Sequence, residues 1–280
     1  MGKLIAVDLD GTLFYPKHRI KMISDKCLAF IRRRIDLGDR FVIVSGRNGD
    51  FGQKVIKKIK RSIGIIGCNG SIIMDNEKVI KLEAFDPKIL KEAIQWIREN
   101  TPYMGLFVMT SDYQFILEKY FKNPFYNLGY FFWTASQGVL RTPMKISKKK
   151  FDEAIEEGKV TKLMVMYGLG KKNIENAKNS NKEVFRKFGD VLETSWSVQT
   201  IELTPKGCFK SNGLKFYSDY HKINHDDVFV CGDSGNDISM FKEFPEHSFC
   251  MSHAPLSVSK YAKYTMNRVE DIEVYLEERK

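Results

Sequence analysis

Two hydrophobic patterns alternate along the first eighty residues. Short apolar runs, "KLIAV" before Asp8, "RFVIV" before Ser45 and "GIIG" before Cys68, read as buried strands. Between them, "SDKCLAFIRRRIDLG" and "DFGQKVIKKIKRSI" repeat apolar residues at helical spacing, as in a helix with one face on a core. Ser24 is placed to cap the first helix and Gly38 to end it. Strand, helix, strand, helix, strand in this order predicts a parallel, doubly wound sheet. "SIIMDNEKVIKL" then reads as a hairpin with Asp75-Asn76 at its turn.

The texture changes near Phe85. "DPKILKEAIQWIREN" is an amphipathic helix with Pro87 in its first turn, and "GLFVMT", "YQFILEKY" and "VTKLMVMYG" suggest strands. "KNIENAKNSNKEVFRKFG" reads as a helix and "DVLETSWSVQTIELTP" as a hairpin, while the aromatic run Tyr120 to Trp133 suits core packing. The earlier pattern then returns: a helix over "CFKSNGLKFYSDYHKI", strands at "DDVFVCGDS" and "HSFCMSHA", and helices in "APLSVSKYA" and "VEDIEVYLEER". The fold class expected is therefore α/β: a doubly wound parallel-sheet (Rossmann-like) core from residues 1–84 and 205–280, interrupted by an inserted α+β cap domain over 85–204.

Composition narrows the function classes. Of 280 residues, 43% are hydrophobic and 29% charged, which fits a globular protein with a proper core. No apolar run approaches the roughly 20 residues of a membrane span. The chain enters a strand with no signal-peptide pattern, so a cytoplasmic location is expected and no membrane partner. Five widely spaced cysteines without a C-x-x-C pair argue for reduced thiols and against a zinc site. The net charge of +10 is spread over helix faces and loops; it favours anions without implying nucleic acid.

The chemistry concentrates at predicted strand ends. In "VDLDGTLF", Asp8 and Asp10 are two apart, so in a strand they would share a face, with Leu9 turned away and Gly11 allowing a sharp turn. Paired carboxylates repel one another, and a divalent cation is the obvious group to hold them. Three other segments also end a strand or open a helix: "SGR" (Ser45 to Arg47), "KGCFK" (Lys206 to Lys210) and "GDSGND" (Gly232 to Asp237). Ligands of open α/β sheets bind outside the carboxyl ends of the strands, so all four segments converge on one crevice. Acids for a metal, a hydroxyl with adjacent amides and a lysine are what phosphoryl transfer needs.

These four segments, in this order, resemble the haloacid dehalogenase-like phosphohydrolases, and the large insertion between "SGR" and "KGCFK" resembles the Cof-type phosphatases. The resemblance covers essentially the whole chain and rests on "DLDGT" and "GDSGND" as a pair. It implies a magnesium-dependent phosphatase of a small phosphorylated metabolite, often a sugar phosphate, working through an aspartyl-phosphate. It implies Asp8 as nucleophile and Asp10 as general acid and then base, with a proton affinity raised by acidic neighbours. Mg2+ would be held by Asp8, the Asp10 carbonyl, Asp233 and Asp237, the last directly or through water. Ser45 and Gly46 would bind phosphate along with Leu9 and Asn236; Arg47, Asn69 and Gly70 lie where substrate could be reached. Lys206 and Lys210 both offer an amine, and the family's spacing after the glycine selects Lys210.

Other readings remain open at this stage. The same fold could serve a phosphotransferase or phosphomutase, or a non-catalytic regulatory binding protein. His221 and His225, four apart, are placed in a loop and read as structural rather than as metal ligands. The partner expected is a small molecule, on a monomer or homodimer.

Overall fold

The computed structural model describes residues 2–15, 22–121, 144–197 and 199–277. The chain divides into two compact units, Met1–Lys81 with Phe209–Lys280, and Leu82–Cys208. These divisions fall three or four residues from the boundaries expected above.

The discontinuous unit opens with β1 (Leu4–Asp8), α1 (Asp25–Asp36), β2 (Arg40–Val44), α2 (Asp50–Ile59), β3 (Gly64–Gly67), β4 (Ile72–Asp75) and β5 (Lys78–Leu82). Ser24 caps α1 by accepting the Cys27 amide at 3.1 Å. Every residue of β1 is buried, which is why its apolar run shows no alternation. The hairpin turns one residue later than expected, with Asn76 and Glu77 both at positive φ (48° and 64°), the pairing a tight two-residue loop demands.

In the inserted unit, α3 (Pro87–Asn100), β6 (Gly105–Thr110), β7 (Phe115–Leu117), β8 (Met144–Ile146), α4 (Lys148–Glu156), β9 (Val160–Met166), α5 (Lys171–Phe188), β10 (Leu192–Ser197) and β11 (Thr200–Pro205) follow one another. Its six-stranded sheet has the order β10-β11-β9-β6-β7-β8. Leu90, Ile94, Ile97, Phe151 and Val184 from its helices share one core with Leu106, Leu163 and Ile201 from its strands. Residues 122–133 of the aromatic run lie outside the described residues.

The first unit resumes with α6 (Lys210–Tyr220), β12 (Val228–Gly232), α7 (Ile238–Glu243), β13 (Ser248–Met251), α8 (Leu256–Ser259), β14 (Tyr264–Met266) and α9 (Glu273–Glu277). Of these, α7 and β14 have no counterpart in the sequence reading; each is too short to show a period. The sheet order is β14-β13-β12-β1-β2-β3-β4-β5, parallel from β14 to β3 and antiparallel at β3/β4. From β1 the chain winds outward through β2 and β3, then returns to fill the other side with β12 and β13. The direction of winding therefore reverses between β1 and β12, and ligands of open α/β sheets bind beyond the strand ends at such a reversal.

Candidate active site

Asp8 ends β1 at that reversal, 4% exposed. The strand stops there, and Leu9–Leu13 form one tight turn in which Gly11 has φ +87°. This corrects the expectation that Asp8 and Asp10 share a strand face. Asp10 lies in the turn with a half-exposed side chain, and its neighbour is a cation: Arg47 donates to both its oxygens, at 2.6 Å each. The partner the structure gives the Asp10 carboxylate is thus a guanidinium.

Gly11 is required by the close approach of the next acid. A Cβ there would stand 2.3 Å from Asp233 Oδ2, so any side chain would push that carboxylate aside. Thr12, in the same turn, donates from Oγ1 to Asp233 Oδ1 at 3.1 Å. Asp233 follows β12, the strand paired with β1. Parallel pairing of two adjacent strands is what brings residues 225 apart in sequence onto one carboxylate cluster.

Asp237 is fully buried. Its Oδ2 accepts from the Asp233 and Ser234 amides (3.0 and 2.9 Å) and from Ser234 Oγ (3.0 Å), while Oδ1 accepts from Lys210 Nζ at 2.6 Å. Both its oxygens are thus engaged in shaping the turn after β12 and holding the lysine. Lys210 opens α6, is 1% exposed, and donates its other contact to Asp8 Oδ1 at 2.6 Å. Lys206 lies elsewhere, donating to the Gly189 carbonyl and pairing with Glu193.

One oxygen of each carboxylate of Asp8, Asp233 and Asp237 lies within 4.8 Å of the others. Three carboxylates against one ammonium leave an excess of negative charge in a buried place. Burial, and then the Asp237 carboxylate, push the Asp8 carboxyl well above the usual range despite Lys210. Burial and Asp237 raise Asp233 as well, against Thr12 and Lys210. Burial by itself lowers the Lys210 proton affinity, but Asp237 and Asp8 outweigh it and hold the ammonium charged. Asp8 Oδ2 is buried with no hydrogen-bond partner. An orphaned carboxylate oxygen beside a second acid, in a net-negative pocket, fits a hard divalent cation, which takes oxygen ligands and cancels this repulsion. Asp8 and Asp233 have the donors for it.

The remaining expected contacts separate into two kinds. Ser45, just past β2, is 1% exposed; its Oγ accepts the Arg47 amide at 3.1 Å, and its carbonyl accepts the Asn69 amide at 3.0 Å. Asn236 Nδ2 reaches Asn69 Oδ1 at 3.4 Å, tying the turn after β3 to the turn after β12. Leu9 is wholly buried, so its side chain offers nothing to a ligand and only its backbone could. Gly70 has φ +110° and lets the Phe209 carbonyl approach where a Cβ would stand 2.8 Å away, which seats the start of α6. Gly46 is partly exposed beside Ser45. His221 and His225 go to different partners, Asp75 and the Glu243 carbonyl, and belong to no metal-ligand group among the described residues.

Sequence reasoning missed two neighbours of Asp233. Thr12 stood inside the quoted "DLDGT" without a role. His253, whose Nε2 is 3.5 Å from Asp233 Oδ2, follows a different strand and has no spacing signal.

Fold and cluster together define a class: an α/β phosphohydrolase with a carboxylate centre at the sheet's switch point. The haloacid dehalogenase-like hydrolase model matches residues 5–275. A 5-amino-6-(5-phospho-D-ribitylamino)uracil phosphatase of Escherichia coli is 24% identical over 94% of this chain and 89% of its own length. A Bacillus subtilis protein of the same description is 27% identical over 96% and 92%. Among solved structures, a Streptococcus mutans protein superposes with a TM-score of 0.82 at 19% identity, covering 99% of each chain. The chain belongs to the haloacid dehalogenase-like hydrolase family. It is an enzyme of the phosphomonoester hydrolase type. No described helix is long and apolar enough to cross a membrane.

Proposed function

We propose that the protein is a magnesium-dependent phosphatase of a small phosphorylated metabolite, acting in the cytoplasm through an aspartyl-phosphate on Asp8. The observation that carries this reading is the state of Asp8: one oxygen held by Lys210 at 2.6 Å and the other buried without a partner. A carboxylate so held is oriented and cannot turn away.

Asp8 attacks phosphorus, and the ester oxygen leaves. Lys210 offsets the repulsion between the carboxylate and a phosphate carrying roughly −1.5 to −2 charges. Ser45, with the Gly46, Leu9 and Asn236 groups around the crevice, holds phosphoryl oxygens. Asp10 supplies the proton to the leaving oxygen, then takes one from the water that cleaves the acyl phosphate. Arg47 must release Asp10 for this, and an incoming phosphate is the anion best suited to compete for its guanidinium. A bound Mg2+, held by Asp8, Asp233 and the Asp10 carbonyl, supplies positive charge next to the transferring group. Asp237 keeps Lys210 and the Asp233 turn in place. Residues 85–204 act as the cap that selects the leaving group.

The Escherichia coli and Bacillus subtilis relatives above are named as phosphatases of a phosphorylated ribitylaminouracil, so that compound belongs in the first substrate panel beside sugar phosphates and pyridoxal phosphate. Phosphate release is measured for wild type and Asp8→Asn, with magnesium and with chelator. Metal-dependent release by wild type alone is expected. Release by Asp8→Asn equal to wild type overturns the nucleophile. No release from any phosphomonoester, with transfer to an added alcohol instead, would favour a phosphotransferase.

A further inference from the structure

We infer that His253 is a positioning residue for the divalent cation, holding the Asp233 carboxylate in its ligating orientation through a stacked contact with Tyr15. The inference rests on the reading that Asp233 binds a metal ion. It concerns a residue outside the four sequence segments.

Asp233 has a charge to present and few ways to keep it still. Its Oδ1 accepts from Thr12 Oγ1 at 3.1 Å, and Gly11 leaves room for the carboxylate by lacking a Cβ. Those contacts restrain one oxygen and one side of the group. On the other side stands His253, with Nε2 3.5 Å from Oδ2. That separation is at the outer limit of a hydrogen bond, so the carboxylate has the Thr12 hydroxyl on one side and the imidazole edge on the other. The side chain of Asp233 is 16% exposed and that of His253 31%, so this contact is partly shielded from water.

A histidine in a loop orients nothing unless its ring is itself fixed. The His253 ring lies against Tyr15, with centroids 4.0 Å apart and planes 24° from parallel. The far side of the arrangement is also tied down: the Arg268 guanidinium sits 5.9 Å from the Tyr15 ring, and its Nη1 donates to the Tyr15 carbonyl at 3.4 Å. The loop carrying His253 is pinned on both flanks. The Ser252 amide donates to the Met266 carbonyl at 2.8 Å, and the Ala254 amide to the Met251 carbonyl at 3.0 Å. Tyr15 comes from the same turn region as Asp8 and Thr12, and His253 from the loop after β13, so the stack links two segments that flank the cluster. Groups of this kind, which touch a ligand's carboxylate but not the metal, commonly change metal affinity by 10–100-fold when removed.

The test reads metal binding alone. Mn2+ is titrated into the whole, metal-stripped protein and free ion is followed by electron paramagnetic resonance. His253→Ala should weaken Mn2+ binding roughly tenfold, the lower end of that range. His253→Gln, which keeps an N–H donor without the possibility of charge, should recover most of the loss. A purely structural role would not distinguish an amide from a methyl in this way. Tyr15→Leu leaves every polar group of the cluster in place and should weaken binding by a smaller factor, about threefold. It also carries the test should His253→Ala fail to fold in chelator. Wild-type affinity in both His253→Ala and Tyr15→Leu overturns the inference, as does equal weakening in His253→Ala and His253→Gln. Absence of Mn2+ binding by wild type overturns the metal-site reading and this inference with it, whereas binding by wild type with no phosphatase activity leaves this inference standing and removes only the proposed reaction.

Discussion

Replacing Lys210 with Met deletes an ammonium and keeps most of the aliphatic stem. In the folded protein that ammonium makes two 2.6 Å contacts, with Asp8 and Asp237, and only 1% of the side chain is exposed. Removing one partner of a buried ion pair costs roughly 3–5 kcal/mol, because the other charge is left without compensation. Part of that cost is recoverable, since burial and the Asp237 charge raise the Asp8 proton affinity and the carboxyl can take up a proton once the ammonium is gone. We expect a net loss of about 2–4 kcal/mol near neutral pH in chelator. The sign of the pH dependence follows from Asp8. Its folded-state proton affinity is raised, so its contribution to stability is present below the ordinary carboxylate range and is lost as pH rises through the folded value. Without Lys210 that value rises further, so the deficit against wild type should be small at about pH 5 and larger at about pH 8. Urea unfolding of both proteins at the two pH values measures this, with constant slope as the check that only stability has changed. Millimolar magnesium should restore part of the loss by supplying another cation to Asp8 and Asp233. Turnover should fall about 10²–10³-fold in the same variant. A deficit below about 1 kcal/mol that does not change with pH would place Lys210 among weak surface pairs and refute the reasoning.

Asp8→Asn should abolish phosphate release while raising the thermal midpoint of the metal-free protein, because a neutral isostere removes a buried charge that faces Asp237; calorimetry in chelator reads the shift, and a lower midpoint contradicts it. Gly11→Ala meets both a φ of +87° and a Cβ position 2.3 Å from Asp233 Oδ2, so it should displace that carboxylate and weaken Mn2+ binding at least tenfold. His221 pairs with Asp75, yet burial and then Arg40 lower its proton affinity below the ordinary histidine value of 6.5. A lowered base contributes stability above its unfolded pKa and loses it as pH falls from about 6.5 toward the folded value. Unfolding midpoints at about pH 7.5 and about pH 5.5 should therefore fall further in wild type than in His221→Gln.

The periods of the sequence were enough to locate most elements of the parallel sheet. β1, β2 and β3 are buried on both faces, and burial on both faces leaves an unbroken apolar run that any reader can find. The carboxylates were legible for a related reason: Asp8 and Asp233 interrupt or end such runs, and a charged residue next to a buried strand demands an explanation. What strand geometry misjudged was Asp10. It was placed on the Asp8 face by counting in twos, but Gly11 adopts a positive φ, the chain leaves the strand at Asp8, and the Asp10 side chain meets Arg47 instead. No periodic pattern encodes where a turn points its side chains.

The sequence by itself determined which residue types stand at the strand ends, and so which chemistry is possible. Tertiary structure decided how that chemistry is arranged. Asp237 resembled a metal ligand, direct or through water, and folding adds that its oxygens also accept from two backbone amides, a serine and Lys210. Gly70 stood in the chain only as a residue near substrate, and folding adds the close approach of the Phe209 carbonyl that its missing Cβ allows. Thr12 and His253 converge on Asp233 from segments separated by 241 positions. The physical reason is common to all of these. Hydrophobic periodicity reports what a residue's own element buries, whereas a site is made by contacts between turns on different strands, whose directions are set by sheet order and pairing.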